Sequence, residues 1–210
     1  MTILMADPRI TRIPVREVDE PVVDLSTLAP HAAGIARFAR VGVVQRLRAA
    51  QATLPVGIRV SVVEASRSSE QQRSIIDAYA DDLRASYPEA TAREIERLTS
   101  RHVAPLGAAP HVAGAAVDLT LVDQEGTELW MGCALDATPE QSRGACYTEA
   151  PGLDRVAREN RALLREALEP TGLVNYPTEW WHWSFGDRYW AHAVGADHAL
   201  YGPLPMAAAA

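Results

Sequence analysis

The stretch APHVAGAAVDLT, residues 109–120, sets one His and one Asp in a run of small apolar residues. Residues 115–122 combine apolar and β-branched side chains and therefore predict a strand. Residues 123–126 read as a turn, and residues 127–131 are predicted to return beside the strand as a hairpin partner. A His and an Asp are costly to bury without partners, so this strand points to a site as well as to a core.

The rest of the chain alternates between helical and strand-like patterns. Helices that precede and interrupt a few strands indicate an α+β fold, with a mainly antiparallel sheet and flanking helices in a single domain. Hydrophobic spacing and end signals predict helices over residues 41–54, 68–86, 91–101 and 153–168, and further strands over residues 57–64 and 178–185.

Composition excludes several classes of function. The chain has 210 residues and a net charge of −7, so it has no overall attraction for nucleic acid or anionic membranes, and we expect neither as a partner. All basic residues are Arg, and without Lys there is no Schiff-base chemistry and no Walker-type phosphate site. No apolar run is long enough to span a membrane and the N-terminus lacks a secretion-signal layout, so we expect a cytoplasmic protein. Cys133 and Cys146 are then expected to stay reduced, with a disulfide as the alternative.

Three side chains are candidate ligands of one metal ion: His111, Asp118 and His182. Zinc in hydrolytic sites takes three ligands from His, Asp and Glu and leaves the fourth position to water. Gly114, between the first two, lets the backbone turn or approach closely. The His–Asp pair alone is a weak signal, and His182 alone is better explained as a hydrogen-bonded core histidine.

Glu179, three residues before His182, favours the metal hypothesis, because a carboxylate beside a metal can serve as the general base that takes a proton from water. Residues i and i+3 of a strand face opposite sides, so Glu179 must precede the strand or lie at a bulge. Arg67 follows the predicted strand 57–64 and precedes a helix. One interpretation is that Arg67 stabilises an oxyanion. The alternative is that Arg67 is a solvated arginine at a helix start.

In this order the motifs resemble the D-alanyl-D-alanine dipeptidases of the VanX type, within the wider zinc D-Ala-D-Ala peptidase family. The family pattern S-x-H-x-x-G-x-A-x-D appears at residues 109–118, and E-W-W-H is intact at residues 179–182. The segment ELWMGCALD, residues 128–136, resembles the family's M-G-x-x-F-D. The Pro-rich, charged residues 1–30 are predicted to form an N-terminal arm and the low-complexity residues 207–210 a tail. The resemblance implies that the zinc dipeptidase-like catalytic domain lies between them, at residues 31–206.

The resemblance also implies a role for each candidate residue. Glu179 would be the general acid and base, and Arg67 would steady the oxyanion. Asp136 would hold the free ammonium group of a small dipeptide substrate and exclude longer chains, whereas by sequence alone it would be a turn residue. One zinc ion per chain would be bound by His111, Asp118 and His182.

The chain departs from the family pattern in the residues around the substrate. Ala109 replaces the Ser of the metal motif, and Ser66 and Ser68 stand where the family has Tyr and Pro around the arginine. Leu135 replaces a Phe. These departures bear on the identity of the dipeptide more than on the chemistry.

The leading hypothesis is therefore zinc-dependent hydrolysis of D-Ala-D-Ala or a closely related free dipeptide. The alternatives are a D,D- or L,D-carboxypeptidase that acts on cell-wall peptides, and a non-catalytic metal- or ligand-binding protein on the same scaffold. The sequence predicts no oligomeric state. The remaining histidines are interpreted as residues of loops, helix ends or solvated surface: His31, His102, His192 and His198.

Overall fold

The computed structural model describes residues 2–205, and within that range the chain forms six α-helices and six strands. The helices are α1 (Pro8–Thr11), α2 (Val41–Thr53), α3 (Ser69–Ser86), α4 (Ala92–Thr99), α5 (Arg155–Leu168) and α6 (Arg188–Val194). The strands are β1 (Val22–Asp24), β2 (Phe38–Arg40), β3 (Arg59–Glu64), β4 (Ala116–Val122), β5 (Val174–Asn175) and β6 (His182–Ser184).

An antiparallel sheet organises the molecule. Within the described residues it contains four strands in the order β3–β4–β6–β5, while β1 and β2 pair separately. Strand β4 is buried along its whole length, and Val117, Leu119 and Leu121 join a core cluster with apolar residues of α2 and α5. Because side chains alternate along a strand, Asp118 points to the opposite face. The fold is α+β, as predicted.

Most predicted elements are confirmed within a few residues. The start of α3 is a capping box in which the Ser68 hydroxyl accepts from the backbone N–H of Gln71, and α4 begins in the same way at Thr91 and Glu94. Each box pairs two backbone N–H groups that a helix start would otherwise leave without acceptors. The sequence signal therefore located these two helix starts well.

The predicted hairpin partner of β4 is formed only in part, since the N–H of Leu129 donates to the carbonyl of Leu121 at 2.8 Å. Residues 127–131 make one isolated bridge to β4 but no strand in the described structure. The Asn160 amide donates to the carbonyl of Trp130 at 2.8 Å, and the Arg161 guanidinium donates to the carbonyl of Met131 at 2.7 Å. Side chains of α5 thus take the hydrogen bonds that a strand would have made, and the chain leaves the sheet.

Helix α5 anchors the loop of residues 131–148 through Arg161. On this helix Val156 is 46% exposed, whereas the charged Arg161 is only 4% exposed. Cys133 and Cys146 lie in this anchored loop as free thiols. The buried guanidinium donates to four backbone carbonyls, those of Met131, Ala145, Tyr147 and Thr148.

Glu140 fastens the same loop to the helices. Its carboxylate accepts from the Tyr79 hydroxyl at 2.7 Å and pairs with Arg101 at 2.5 Å. Burial would raise the pKa of Glu140, but Tyr79 and Arg101 outweigh it and lower the pKa. We expect Glu140→Gln to lower the free energy of unfolding by about 1–2 kcal/mol at neutral pH, the usual size of a lost charged hydrogen bond.

Urea unfolding at several pH values checks this prediction. A lowered native pKa stabilises the fold above the unfolded-state pKa, and this contribution disappears as the pH falls through the native value. The difference between wild type and Glu140→Gln should therefore shrink on acidification. Glu125→Gln, at an exposed turn position, is the matched control, and an equal loss in both variants would contradict the prediction.

None of the helices in residues 2–205 combines the length and apolar character needed to cross a bilayer. Residues 2–30 contain α1 and β1 and bury Met5, Ile10 and Leu25. The boundaries predicted for an arm and a catalytic domain stay predictions, and the predicted tail, residues 207–210, lies outside the described residues.

Candidate metal centre and active site

Three neighbouring strands bring polar side chains into one row. Asp118 on β4 pairs in register with Glu64 on β3 and with His182 on β6. His111 reaches the same place from a turn, in which the N–H of Gly114 donates to the carbonyl of His111. Gly114 has a φ of +63°, and an added Cβ would lie only 3.0 Å from a Leu204 methyl carbon, so the turn requires glycine.

The three predicted ligands meet, all of them buried. His111 Nε2 lies 3.1 Å from His182 Nδ1 and 3.3 Å from Asp118 Oδ2, and His182 Nδ1 lies 3.0 Å from Asp118 Oδ1. His111 Nδ1 lies 2.5 Å from the carbonyl of Ala65, which fixes the proton on that nitrogen and leaves a lone pair on Nε2. The side chains therefore present electron pairs toward one another.

This arrangement fits a zinc ion. Tetrahedral zinc with bonds of about 2.0–2.1 Å needs ligand atoms about 3.3 Å apart, close to the separations seen here. Burial would raise the pKa of Asp118, but His111 and His182 outweigh it and hold the pKa far below its usual range. Asp118 thus places an anionic carboxylate between two imidazoles, a donor set of the kind that hydrolytic zinc sites use.

Glu179 lies beside this cluster, in the loop that joins β5 to β6. The predicted strand 178–185 is shorter than expected, since β6 begins at His182 and Glu179 precedes it in a turn closed by its N–H to the carbonyl of Tyr176. Because Glu179 lies outside the strand, its side chain can face the same side as His182. The side chain is 7% exposed, and Oε2 lies 3.8 Å from His182 Nδ1.

Arg67 lies between β3 and α3, as predicted, with its side chain 13% exposed. Its Nε and Nη2 donate to the two carboxylate oxygens of Glu64, and Nη1 donates to Gln72 Oε1 at 3.0 Å. A guanidinium has five N–H donors, so two of them remain for a ligand. The bidentate pair fixes the direction in which these two donors point.

Asp136 stands at the mouth of the cleft, in the anchored loop. Its backbone is left-handed, with a φ of +63°, a conformation that Asp tolerates better than most residues. The side chain is 76% exposed, and one carboxylate oxygen lies 3.5 Å from His102 Nε2.

His102 is the residue that the sequence did not single out. It lies in the turn after α4, and its Nδ1 is 2.9 Å from Glu179 Oε1. Its ring packs edge-on against Tyr79 and Trp181. No motif marks this position, and the only signal is spatial, because His102 lies far in sequence from both carboxylates that it contacts.

Together these groups line a cavity of about 190 Å³, which includes the metal cluster, Glu179, Arg67 and Asp136. A larger cavity of about 280 Å³ lies between α3 and α4, and its lining is mainly apolar. The cluster of three ligands opens into the smaller cavity, so that cavity is the candidate active site.

The comparison with known protein families agrees with this geometry. Residues 38–198 match the model of the Peptidase M15 family, described as D-Ala-D-Ala dipeptidase. The chain belongs to the Peptidase M15 family. The resemblance stated from the two motifs is confirmed at the level of the family.

Individual M15 relatives align over shorter segments. The chain is 38% identical over 101 residues to the D-alanyl-D-alanine dipeptidase of Synechocystis sp., covering 45% of this chain and 41% of that protein. It is 32% identical over 114 residues to the enzyme of the same name from Enterococcus faecalis, covering 51% of this chain and 52% of that protein. The alignments thus span about half or less of the relatives' own lengths.

A solved structure shows a weaker similarity. A mutant of the vancomycin resistance D,D-pentapeptidase VanY in complex with Zn(II) aligns over 87% of this chain and 90% of that one, with 17% identity and a TM-score of 0.47. This level of similarity is too low to bear on substrate or mechanism.

Proposed function

We propose that the chain is a zinc-dependent dipeptidase that hydrolyses D-Ala-D-Ala or a closely related free dipeptide. One observation carries the proposal: two imidazoles and a carboxylate converge beside a second, buried carboxylate, Glu179, in one cavity. A purely structural zinc site closes its fourth position with another ligand, whereas this cluster has an acid–base group next to it. Family membership supports the same reaction class.

His111, Asp118 and His182 would hold the zinc ion, which would supply Lewis-acid polarisation of the scissile carbonyl and activation of water. Glu179 accepts a proton from the attacking water and returns it to the nitrogen of the leaving amine, so that the C–N bond breaks as the new C–O bond persists. Arg67 donates its two remaining N–H groups to the carbonyl oxygen as negative charge develops there.

Asp136 explains why the substrate would be a dipeptide. Its carboxylate stands at the cavity mouth, where it can pair with the ammonium group of a free N-terminus. A longer peptide has an amide and further chain at that point and would meet the carboxylate without the compensating charge. We also propose that the enzyme works in the cytoplasm, where free D-Ala-D-Ala is made before it is added to wall precursors.

The test combines elemental analysis of purified protein with a screen of free D,D-, L,D- and L,L-dipeptides. We expect one zinc per chain and cleavage of D-Ala-D-Ala or a close relative. Cleavage of wall pentapeptides in preference to dipeptides would point to a carboxypeptidase instead. A zinc-loaded protein that cleaves none of these compounds would contradict the proposal and favour a binding role.

Asp136→Ala should remove the preference for a free N-terminus. We expect kcat/KM for the free dipeptide to fall at least about tenfold, the effect of losing one charged contact, while an N-acetylated dipeptide changes little. Competition between the two substrates measures the ratio directly. Asp123→Ala, in the distant turn after β4, is the control. An unchanged ratio would remove Asp136 from substrate recognition.

A further inference from the structure

His102 contacts two functional carboxylates with its two ring nitrogens. Nδ1 lies 2.9 Å from Glu179 Oε1, and Nε2 lies 3.5 Å from Asp136 Oδ1. The His102 side chain is only 10% exposed. A single rigid ring therefore spans the distance between the proposed base and the proposed ammonium-binding group.

The ring itself is held in place. It packs edge-on against Tyr79, with ring centroids 5.2 Å apart, and against Trp181 at 6.3 Å. The Tyr176 hydroxyl donates to the carbonyl of Ser100 at 2.6 Å, which ties the turn of His102 to the loop of Glu179. His102 is thus fixed by contacts that do not involve either carboxylate.

The two oxygens of the Glu179 carboxylate therefore face different groups. Oε1 faces His102, whereas Oε2 faces the metal cluster, 3.8 Å from His182 Nδ1. Without His102, the carboxylate would be free to rotate about its last torsion, which is broad for Glu. Burial would lower the pKa of His102, but Glu179 outweighs it and raises the pKa, which favours the imidazolium, a cation that attracts both neighbouring carboxylates.

We propose that His102 is a positioning residue that holds Glu179 and Asp136 at a fixed separation, one ring nitrogen for each carboxylate. The inference rests on the proposed dipeptidase function, since it assigns the two carboxylates to the base and to the ammonium site. It predicts that loss of one contact affects turnover and loss of the other affects substrate binding.

Two amide variants separate the contacts. His102→Asn places an amide near the position of Nδ1 and should keep the contact to Glu179, so we expect kcat within about threefold of wild type and KM raised about tenfold. His102→Gln places its amide near Nε2 and should give the reverse, with KM kept and kcat lowered about tenfold or more. His102→Phe keeps ring packing but loses both contacts, so both parameters should worsen.

Kinetics with free D-Ala-D-Ala, zinc content and melting temperature are measured for each variant, with the exposed His31→Phe as the control. A His102→Phe variant with wild-type kcat and KM would overturn the inference. Equal losses of activity in all three variants, in proportion to their fall in melting temperature, would overturn it too. Crystal structures of wild type and His102→Phe give a readout without substrate. If the separation of the Glu179 and Asp136 carboxylates is the same in both structures, the inference fails. This result does not depend on whether the protein cleaves a dipeptide.

Discussion

Replacing Glu179 by Gln is expected to lower kcat by at least about two orders of magnitude, the usual scale for a lost acid–base group, while the protein keeps one zinc per chain. The amide has the shape of the carboxylate and can still place its oxygen beside His102, but it cannot take a proton from water. Glu179 is not one of the three converging ligands, so metal binding should persist.

Steady-state kinetics and elemental analysis of the same preparation check this result. Glu89→Gln is the matched control, because Glu89 is exposed and does not line the cavity. A Glu179→Gln variant that turns over at the wild-type rate would exclude Glu179 as the base. A variant that has lost its zinc would instead make Glu179 a ligand.

Asp118→Ala is expected to abolish zinc binding and, with it, all dipeptide hydrolysis. Asp118 lies between the two imidazoles and is the anionic member of the set, so its loss leaves two neutral donors, too few for a hydrolytic zinc site. We expect less than about a tenth of an equivalent of zinc after dialysis, because metal affinity depends steeply on ligand number and charge.

Zinc content, activity and thermal unfolding with and without added zinc make up this test. The exposed Asp77→Ala variant, on α3, should bind and stabilise with zinc as the wild type does. Zinc should raise the melting temperature of the wild type but not of Asp118→Ala, because a ligand stabilises only a fold that binds it. Full zinc loading of Asp118→Ala would refute the proposed ligand set.

The sequence predicted the fold best where local chemistry decides it. The capping boxes at Ser68 and Thr91 located two helix starts, since their hydrogen bonds involve only neighbouring residues. The hairpin partner at residues 127–131 formed only in part, because distant side chains on α5 compete for the carbonyls of Trp130 and Met131. The buried Arg161 was missed for the same reason, as its four acceptors lie in another segment.

The residues of the candidate site were likewise predicted where they form local motifs and missed where they do not. His111, Asp118, His182 and Glu179 were predicted because they form two compact motifs, and the structure brings them together. His102 was assigned to a helix end, and nothing in its local sequence indicates contact with two carboxylates. That contact follows from the packing of three separate segments, which no single stretch of sequence encodes.

The anchored loop has a consequence for how such an enzyme could diversify. The proposed hydrolytic groups stand on or beside the sheet, whereas Asp136 belongs to a loop that Arg161 holds by backbone carbonyls and that Glu140 ties to Tyr79 and Arg101. Backbone acceptors are present whatever the side chains, so the attachment through Arg161 does not depend on the side chain of Asp136 or of its neighbours. Substrate selectivity could therefore change by substitution within this loop, while the proposed hydrolytic groups on the sheet stay unchanged.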